Sequence, residues 1–295
     1  MAPAILSENW RESQPALWLF LLKLSACLTL GARGWLTWQA DSPIRGLFWQ
    51  EAWWSSLLKN SAGIPWDDWA KESDPYITIT LSCIGLILIA IAIVPWLLSF
   101  LPKLRWLLWL GAFFLLVESF ASWVASDYDM GMAIEHSLQM SAPIALFFFG
   151  KGTAATKQTG RAMTFLLLIA TGFTFAGHGF YAAEIHPVPL SYQTMTMKLL
   201  GCSESVAVGF LLVVGVLDIL AALALFLKPL RRPALLYCVA WGLLTALARI
   251  ASHFSLSASW WNLDPWLFET TVRTSHWLLP LLVLGLLRKG GTMPK

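Results

Sequence analysis

The residues able to do chemistry in this chain lie inside or beside long apolar stretches. Ionisable side chains there cost a few kcal/mol each and face a bundle interior or a wet cavity. They are Arg33, Glu118, Glu135, His136, His178, Arg249, His253, Glu269, Arg273 and His276, with Gln139 beside them and Lys23 and Asp218 in the same setting. Spacing puts several on shared helical faces: Glu269 and Arg273 are four apart with His276 a turn further, and the pairs Arg249/His253 and Glu118/Ser122 are also four apart. Thr171, Thr174, His178 and Tyr181 make one polar stripe. Histidines exchange protons near neutral pH, and arginines grip an anionic group bidentately. Such a set suits a polar pocket for the head of an amphiphile, a quinone or a lipid. The competing reading is structural: three arginines (Arg33, Arg249, Arg273) match three glutamates (Glu118, Glu135, Glu269) and lock helices together as ion pairs. Glu135 and Glu269 also open helices, where the dipole favours an acid.

Other chemistries find little support. Cys27, Cys83, Cys202 and Cys238 are far apart with no CxxC, so neither a zinc site nor a dithiol pair is signalled. No HxxxH run occurs, and no Ser or Cys stands in an activating context for nucleophilic catalysis. A net charge of +3 is too small to point to nucleic acid.

The elements that position these residues are membrane helices. The chain is 57% hydrophobic and 13% charged, with a mean hydropathy of +0.64, whereas soluble domains carry roughly 25% charged residues. Its 18 Trp agree with this, because Trp concentrates at headgroup level. Apolar runs long enough to span a bilayer cover 16–38, 76–101, 106–126, 131–150, 162–183, 205–227, 234–256 and 271–288. With the N-terminus inside, every inner connection is basic: Arg11; Lys103 and Arg105; Lys151, Lys157 and Arg161; Lys228, Arg231 and Arg232; Arg288, Lys289 and Lys295. The acids collect outside, from Asp41, Asp67 and Asp68 to Asp127, Asp129, Glu184, Glu204 and Asp264. Lysine and arginine are retained on the cytoplasmic side, so the expectation is an all-α bundle of about eight spans with both termini cytoplasmic in a bacterial inner membrane. Glu8, Arg11 and Glu12 precede the first span without a cleavage site, which reads as an uncleaved anchor. The histidines, arginines and glutamates of the cluster then fall in the outer half, with Lys23 and Asp218 deeper.

The outer loop 39–75 holds five Trp between Trp49 and Trp69, and over 43–60 Ile44, Leu47, Phe48, Trp54, Leu57 and Leu58 share one helical face. This predicts an amphipathic helix lying in the outer interface. The two halves also echo each other. Thr29-Leu-Gly-Ala-Arg33-Gly34-Trp35 matches Thr174-Phe-Ala-Gly-His178-Gly179-Phe180, Leu47-Phe-Trp-Gln50 matches Leu190-Ser-Tyr-Gln193, and Phe100–Arg105 matches Phe226–Arg231. Glu135–Ser141 matches Glu269–Ser275. The expected organisation is two parallel four-helix units, 1–157 with the Trp-rich loop and 158–295, related by an axis along the membrane normal.

Residues 161–288 resemble the DoxX-like group of four-helix membrane proteins. The resemblance rests on Arg161 at the start of a first helix, His178-Gly179 at its outer end, and the Pro-containing loop His186-Pro-Val-Pro189. The first half is a fainter copy, with Arg33-Gly34 in place of His-Gly. The resemblance implies a four-helix fold and, through some members, association with quinone-linked oxidation or disulfide maturation. The lack of paired cysteines speaks against the second of these. Three functions follow as expectations: a quinone- or lipid-interacting subunit of a membrane redox complex, a non-catalytic scaffold docking another membrane or periplasmic subunit through the Trp-rich loop, and a small-solute transporter in which Pro95, Pro143 and Pro280 break spans.

Overall fold

The computed structural model describes residues 5–149, 157–185, 188–255 and 263–289, which are helical with no strand among them. Lys151, Lys295 and the His186-Pro187 part of the turn lie outside the described residues, as do the side chains of Glu8, Arg11, Glu12, Lys157, Arg288 and Lys289. In order, the helices are α1 Ile5–Gln39, α2 Ile44–Phe48, α3 Glu51–Ala62, α4 Trp66–Glu72, α5 Asp74–Leu97, a 3-10 turn Pro102–Trp106, α6 Leu107–Ala125, α7 Met130–Glu135 and α8 Ser137–Phe149. Then come α9 Lys157–Ala182, α10 Leu190–Leu200, α11 Glu204–Ala224, α12 Arg231–His253, α13 Asp264–Val272 and α14 Ser275–Lys289.

Six segments are long and apolar enough to cross a membrane: Leu17–Gln39, Asp74–Leu97, Pro102–Ala125, Arg161–Ala182, Glu204–Ala224 and Arg231–His253. Their outward faces carry apolar stripes, with Ile79, Leu86 and Ile93 exposed on α5 and Val206, Val213 and Leu220 exposed on α11. A residue set of that kind is stable only where lipid is the solvent.

The stretches expected as the fourth and eighth spans are interrupted. The first breaks at His136 between α7 and α8, the second at Arg273 and Thr274 between α13 and α14. At each break a hydroxyl takes the carbonyl three residues back: Ser137 Oγ donates to Ile134 O at 2.7 Å, and Thr274 Oγ1 to Thr271 O at 2.8 Å. This local bonding competes with helix propagation. The restarted α8 is capped from outside, its Leu138 N donating to Thr174 Oγ1 of α9 at 3.1 Å.

Lipid supplies no hydrophobic drive between helices, so close packing of small residues holds them. A Cβ on Gly34 of α1 would stand 2.7 Å from Gly85 O of α5, and one on Gly179 of α9 would stand 2.8 Å from Gly215 O of α11. One apolar core joins both halves of the chain, with Leu22, Leu108, Leu138, Leu146, Leu167, Phe175, Leu225, Leu235, Leu279 and Leu282 all at 2% exposure or less.

The predicted amphipathic helix over 43–60 is broken at Trp49 and Gln50. Ile44, Leu47 and Phe48 of α2 dock on Ile77, Leu81 and Ala121, and Trp54 Nε1 folds back to Leu47 O at 2.7 Å. Helix α3 has no buried residue, and its Trp53 and Leu57 are exposed. The single apolar face expected from periodicity is therefore split between α2, which docks on α5 and α6, and α3, whose Trp53 stacks on Phe120 while Leu57 stays exposed.

Candidate functional site

The C-terminal halves of α1, α9 and α12 bring Arg33, His178 and Arg249 to two adjoining cavities, and that of α6 sets Glu118 against Arg33. A polar chamber of about 550 Å³ is lined by Arg33, Glu135, His136, Arg249, His253, Glu269 and Arg273 among others. A mostly apolar cleft of about 400 Å³ runs between α9, α10, α11 and α12, with His178, Asp218, Arg249 and His276 among its walls. Tyr192, Met195 and Arg249 line both. Of the ten residues singled out from sequence, Glu118 alone lines neither cavity, because it lies behind Arg33.

Arg33, 7% exposed, closes one side. Its Nη1 donates to Glu118 Oε1 and its Nη2 to Gln139 Oε1, each at 3.2 Å, and Ser42 Oγ donates to Glu118 Oε2 at 3.1 Å. Arg273 pairs with Glu269 on α13, also donating from Nη1 to the Glu269 carbonyl at 3.0 Å.

The third pairing suggested by the matched charges is not made. Arg249, 8% exposed, donates from Nη1 to Thr245 O of its own helix at 2.8 Å and pairs with no carboxylate among the described residues. Glu135, 5% exposed, turns instead to the histidines: its Oε2 is 3.7 Å from His178 Nδ1 and its Oε1 is 4.0 Å from His136 Nε2. Buried Glu135 Oε2, His178 Nε2 and His276 Nε2 have no hydrogen-bond partner. Unpartnered polar atoms are rare in buried positions. Here, with Arg33 Nε and Arg273 Nε, five of them belong to residues that line the two cavities.

Other spacing expectations change with the backbone. His276 does not continue the face of Glu269 and Arg273, because the break at 273–274 starts a new helix, and its ring lies edge-on to His178 with centroids 5.3 Å apart. His253 bonds the Arg249 carbonyl rather than its side chain and stacks on Trp266 at 3.5 Å. Asp218 is not deeper than the cluster. It is level with His178, since a Cβ on Gly179 would meet both Gly215 O and Ile219, and α11 extends outward past the end of α9.

Sequence reasoning missed Tyr192, Trp266 and Ser42. Tyr192 OH lies 3.2 Å from His178 Nδ1, at the junction of the two cavities. Burial, with the Glu135 charge beside it, pushes its phenol above the ordinary value, so it stays a hydroxyl at working pH. The signal for it was present in the match of Leu190-Ser-Tyr-Gln193 to Leu47-Phe-Trp-Gln50. Among the described residues no three His, Cys, Asp or Glu side chains group as a metal ion requires.

The chain matches no family model, no curated protein and no solved structure. The functional reading therefore comes from the site's own chemistry. An apolar cleft that ends at unpaired polar groups beside a chamber lined by charged side chains can hold a molecule with one apolar and one polar end.

Proposed function

We propose that this is a bacterial inner-membrane protein of eight passes in two parallel four-helix units, 1–157 and 158–295, with both termini cytoplasmic and the second unit DoxX-like. The helix register supports this. Leu22, Ala26 and Leu30 of α1 are buried as are Leu167, Thr171 and Phe175 of α9, and Leu81, Gly85 and Leu88 of α5 as are Leu211, Gly215 and Asp218 of α11. Likewise Gly111, Leu115 and Glu118 of α6 correspond to Gly242, Ala246 and Arg249 of α12, and Leu138, Gln139 and Pro143 of α8 to Ser275, His276 and Pro280 of α14. This register differs from the sequence match of Glu135 to Glu269. Glu135 lies against Gly177 of α9, whereas Val272 clusters with Ala32 and Leu36 of α1, so Glu135 corresponds to Val272. The α7–α8 and α13–α14 pairs serve in series as the fourth and eighth passes, broken where they line a cavity, as discontinuous spans are.

The protein in this reading binds a membrane amphiphile, a quinone or a lipid, with its tail in the cleft and its head at the chamber. The observation that carries it is the junction at Arg249 and Tyr192, where a buried guanidinium without a carboxylate meets both cavities. Extraction in mild detergent followed by lipid and quinone analysis should recover an enriched amphiphile that Arg249→Ala loses. No enrichment, or equal recovery from the variant, overturns the reading.

A second reading rests on the exposed Trp53 and Leu57 of α3. Here the protein is a scaffold that docks another membrane or periplasmic subunit through that helix. Removing 51–62 while keeping the docked α2 should abolish co-purification of that subunit; unchanged co-purification counts against it.

A further inference from the structure

The two units place different side chains at corresponding positions around the C-terminal ends of their inner helices. In the first unit these are Arg33, Leu88, Glu118 and Gln139; in the second they are His178, Asp218, Arg249 and His276. In the first set the charges pair with each other, Arg33 bonding both Glu118 and Gln139. In the second they do not. Arg249 takes the position of the acid, and His178 and His276 take those of the arginine and the amide. Asp218 is drawn away, accepting from Tyr237 OH at 2.7 Å. Of these four side chains Glu135 comes within 4 Å of His178 alone, and its other oxygen faces His136. Arg249 thus keeps donors that no protein carboxylate receives, and the Nε2 atoms of His178 and His276 are buried and unbonded. All three side chains line the cleft, whose remaining wall is largely apolar, with Phe175, Leu211, Val214 and Leu244.

We infer that the ligand of this cleft is an anionic amphiphile, a long chain ending in a carboxylate or a phosphate, whose head supplies the acid that the second unit lacks. The inference rests on the amphiphile reading above and narrows it. Arg249 holds the head through its fork of donors, which matches carboxylate and phosphate oxygens alike. Tyr192 and the two histidines stand within the same junction to complete its hydrogen bonds. The chain then runs along α11 and α12 toward lipid. Glu135 and Glu269 reach Arg249 only through their charge at longer range and take no hydrogen bond from it, so a neutral head would leave its fork of donors without a carboxylate or phosphate oxygen to receive them.

The test uses the full-length protein in detergent with radiolabelled palmitate, competed by hexadecyl phosphate, hexadecanol and decylubiquinone. Both anions should displace the label at least tenfold more effectively than the alcohol or the quinone. A preference between the two anions identifies the head as carboxylate or phosphate, and either supports the inference. Arg249→Gln should weaken palmitate binding by roughly 10- to 100-fold, the worth of hydrogen bonds to a charged group. Should that variant fail to fold, the competition series on the unaltered protein decides alone. If the alcohol or quinone competes as well as palmitate, the anionic head is ruled out while the amphiphile site stands. If none of the four binds, both readings fall.

Discussion

At the scale of single residues, the decisive contrast is between a charge that is paired and one that is not. Arg33 and Glu118 form a buried pair with side chains 9% and 2% exposed, tied to Gln139 and Ser42. Removing one member of such a pair leaves the other uncompensated, which costs about 3–5 kcal/mol, while replacing both with apolar groups is often near neutral. Arg33→Met and Glu118→Met should each lower the thermal midpoint in detergent well below that of the parent, and the double variant should recover most of the loss. Additive losses would mean that the two side chains act separately. The sequence named every charged member of the cluster because a charge in an apolar stretch stands out. It did not show who pairs with whom. Three arginines against three glutamates reads as three pairs, yet only orientation decides that Glu135 turns to His136 and His178 and leaves Arg249 to itself. Tyr192 carries no charge and lies outside the spans, so it had only a weak repeat to announce it.

At the scale of helices, packing relies on contacts that hydropathy does not register. The Gly179–Gly215 crossing brings two backbones together, so that a side chain at Gly215 would strike backbone atoms of Ala182 and Ala183 rather than a flexible tip. Gly215→Ala should therefore shift α9 away from α11 and cost about 1–3 kcal/mol, the usual penalty of overpacking. Gly209 lies on the same helix with nothing within 4 Å of an added Cβ, and Gly209→Ala should leave the thermal midpoint no lower than the parent's, since alanine is the better helix former. Equal effects from the two would locate the loss in the helix itself rather than in the crossing. Long apolar helices were legible because length and composition suffice to find them. The breaks at His136 and at Arg273–Thr274 were not, because a broken span keeps the composition of an intact one. A hydroxyl bonds the carbonyl three residues back at each break, but Ser141 makes the same bond to Leu138 O inside α8, so even that residue pattern does not announce a break. The single helix expected over 43–60 is two helices for a related reason: periodicity reports a face but not whether Trp49 and Gln50 continue the helix or turn it.

At the scale of the whole molecule, the number of crossings turns on the two interrupted segments. If α7–α8 and α13–α14 merely dip into the membrane, six crossings remain, and the turn between α11 and α12 faces outward. If each pair completes a crossing, that turn faces the cytoplasm. The packing favours the second arrangement. Arg33 near the end of α1 meets Glu118 on α6, while Gly177 near the end of α9 meets Glu135, four residues before the Gln139 that Arg33 also reaches. The ends of α1 and α9 thus lie at one level, as the proposed return of the chain through α8 has it. At 1.5 Å per residue, α7 and α8 together span about 28 Å, close to the thickness of the hydrocarbon core. The basic residues Lys228, Arg231 and Arg232 in the α11–α12 turn agree, since such charge is retained on the cytoplasmic side. A single cysteine can decide between the two. In a Cys202→Ser background, which removes the native thiol of the outer connection, Lys228→Cys should resist a membrane-impermeant maleimide in right-side-out vesicles and react once they are opened. Lys59→Cys on the exposed α3 should react in both cases, which controls for reagent access. Labelling of Lys228→Cys in sealed vesicles would reduce the bundle to six crossings and turn the second unit over. The parallel repeat could not survive that result, and neither could the comparison of Glu118 with Arg249 on which the missing acid depends.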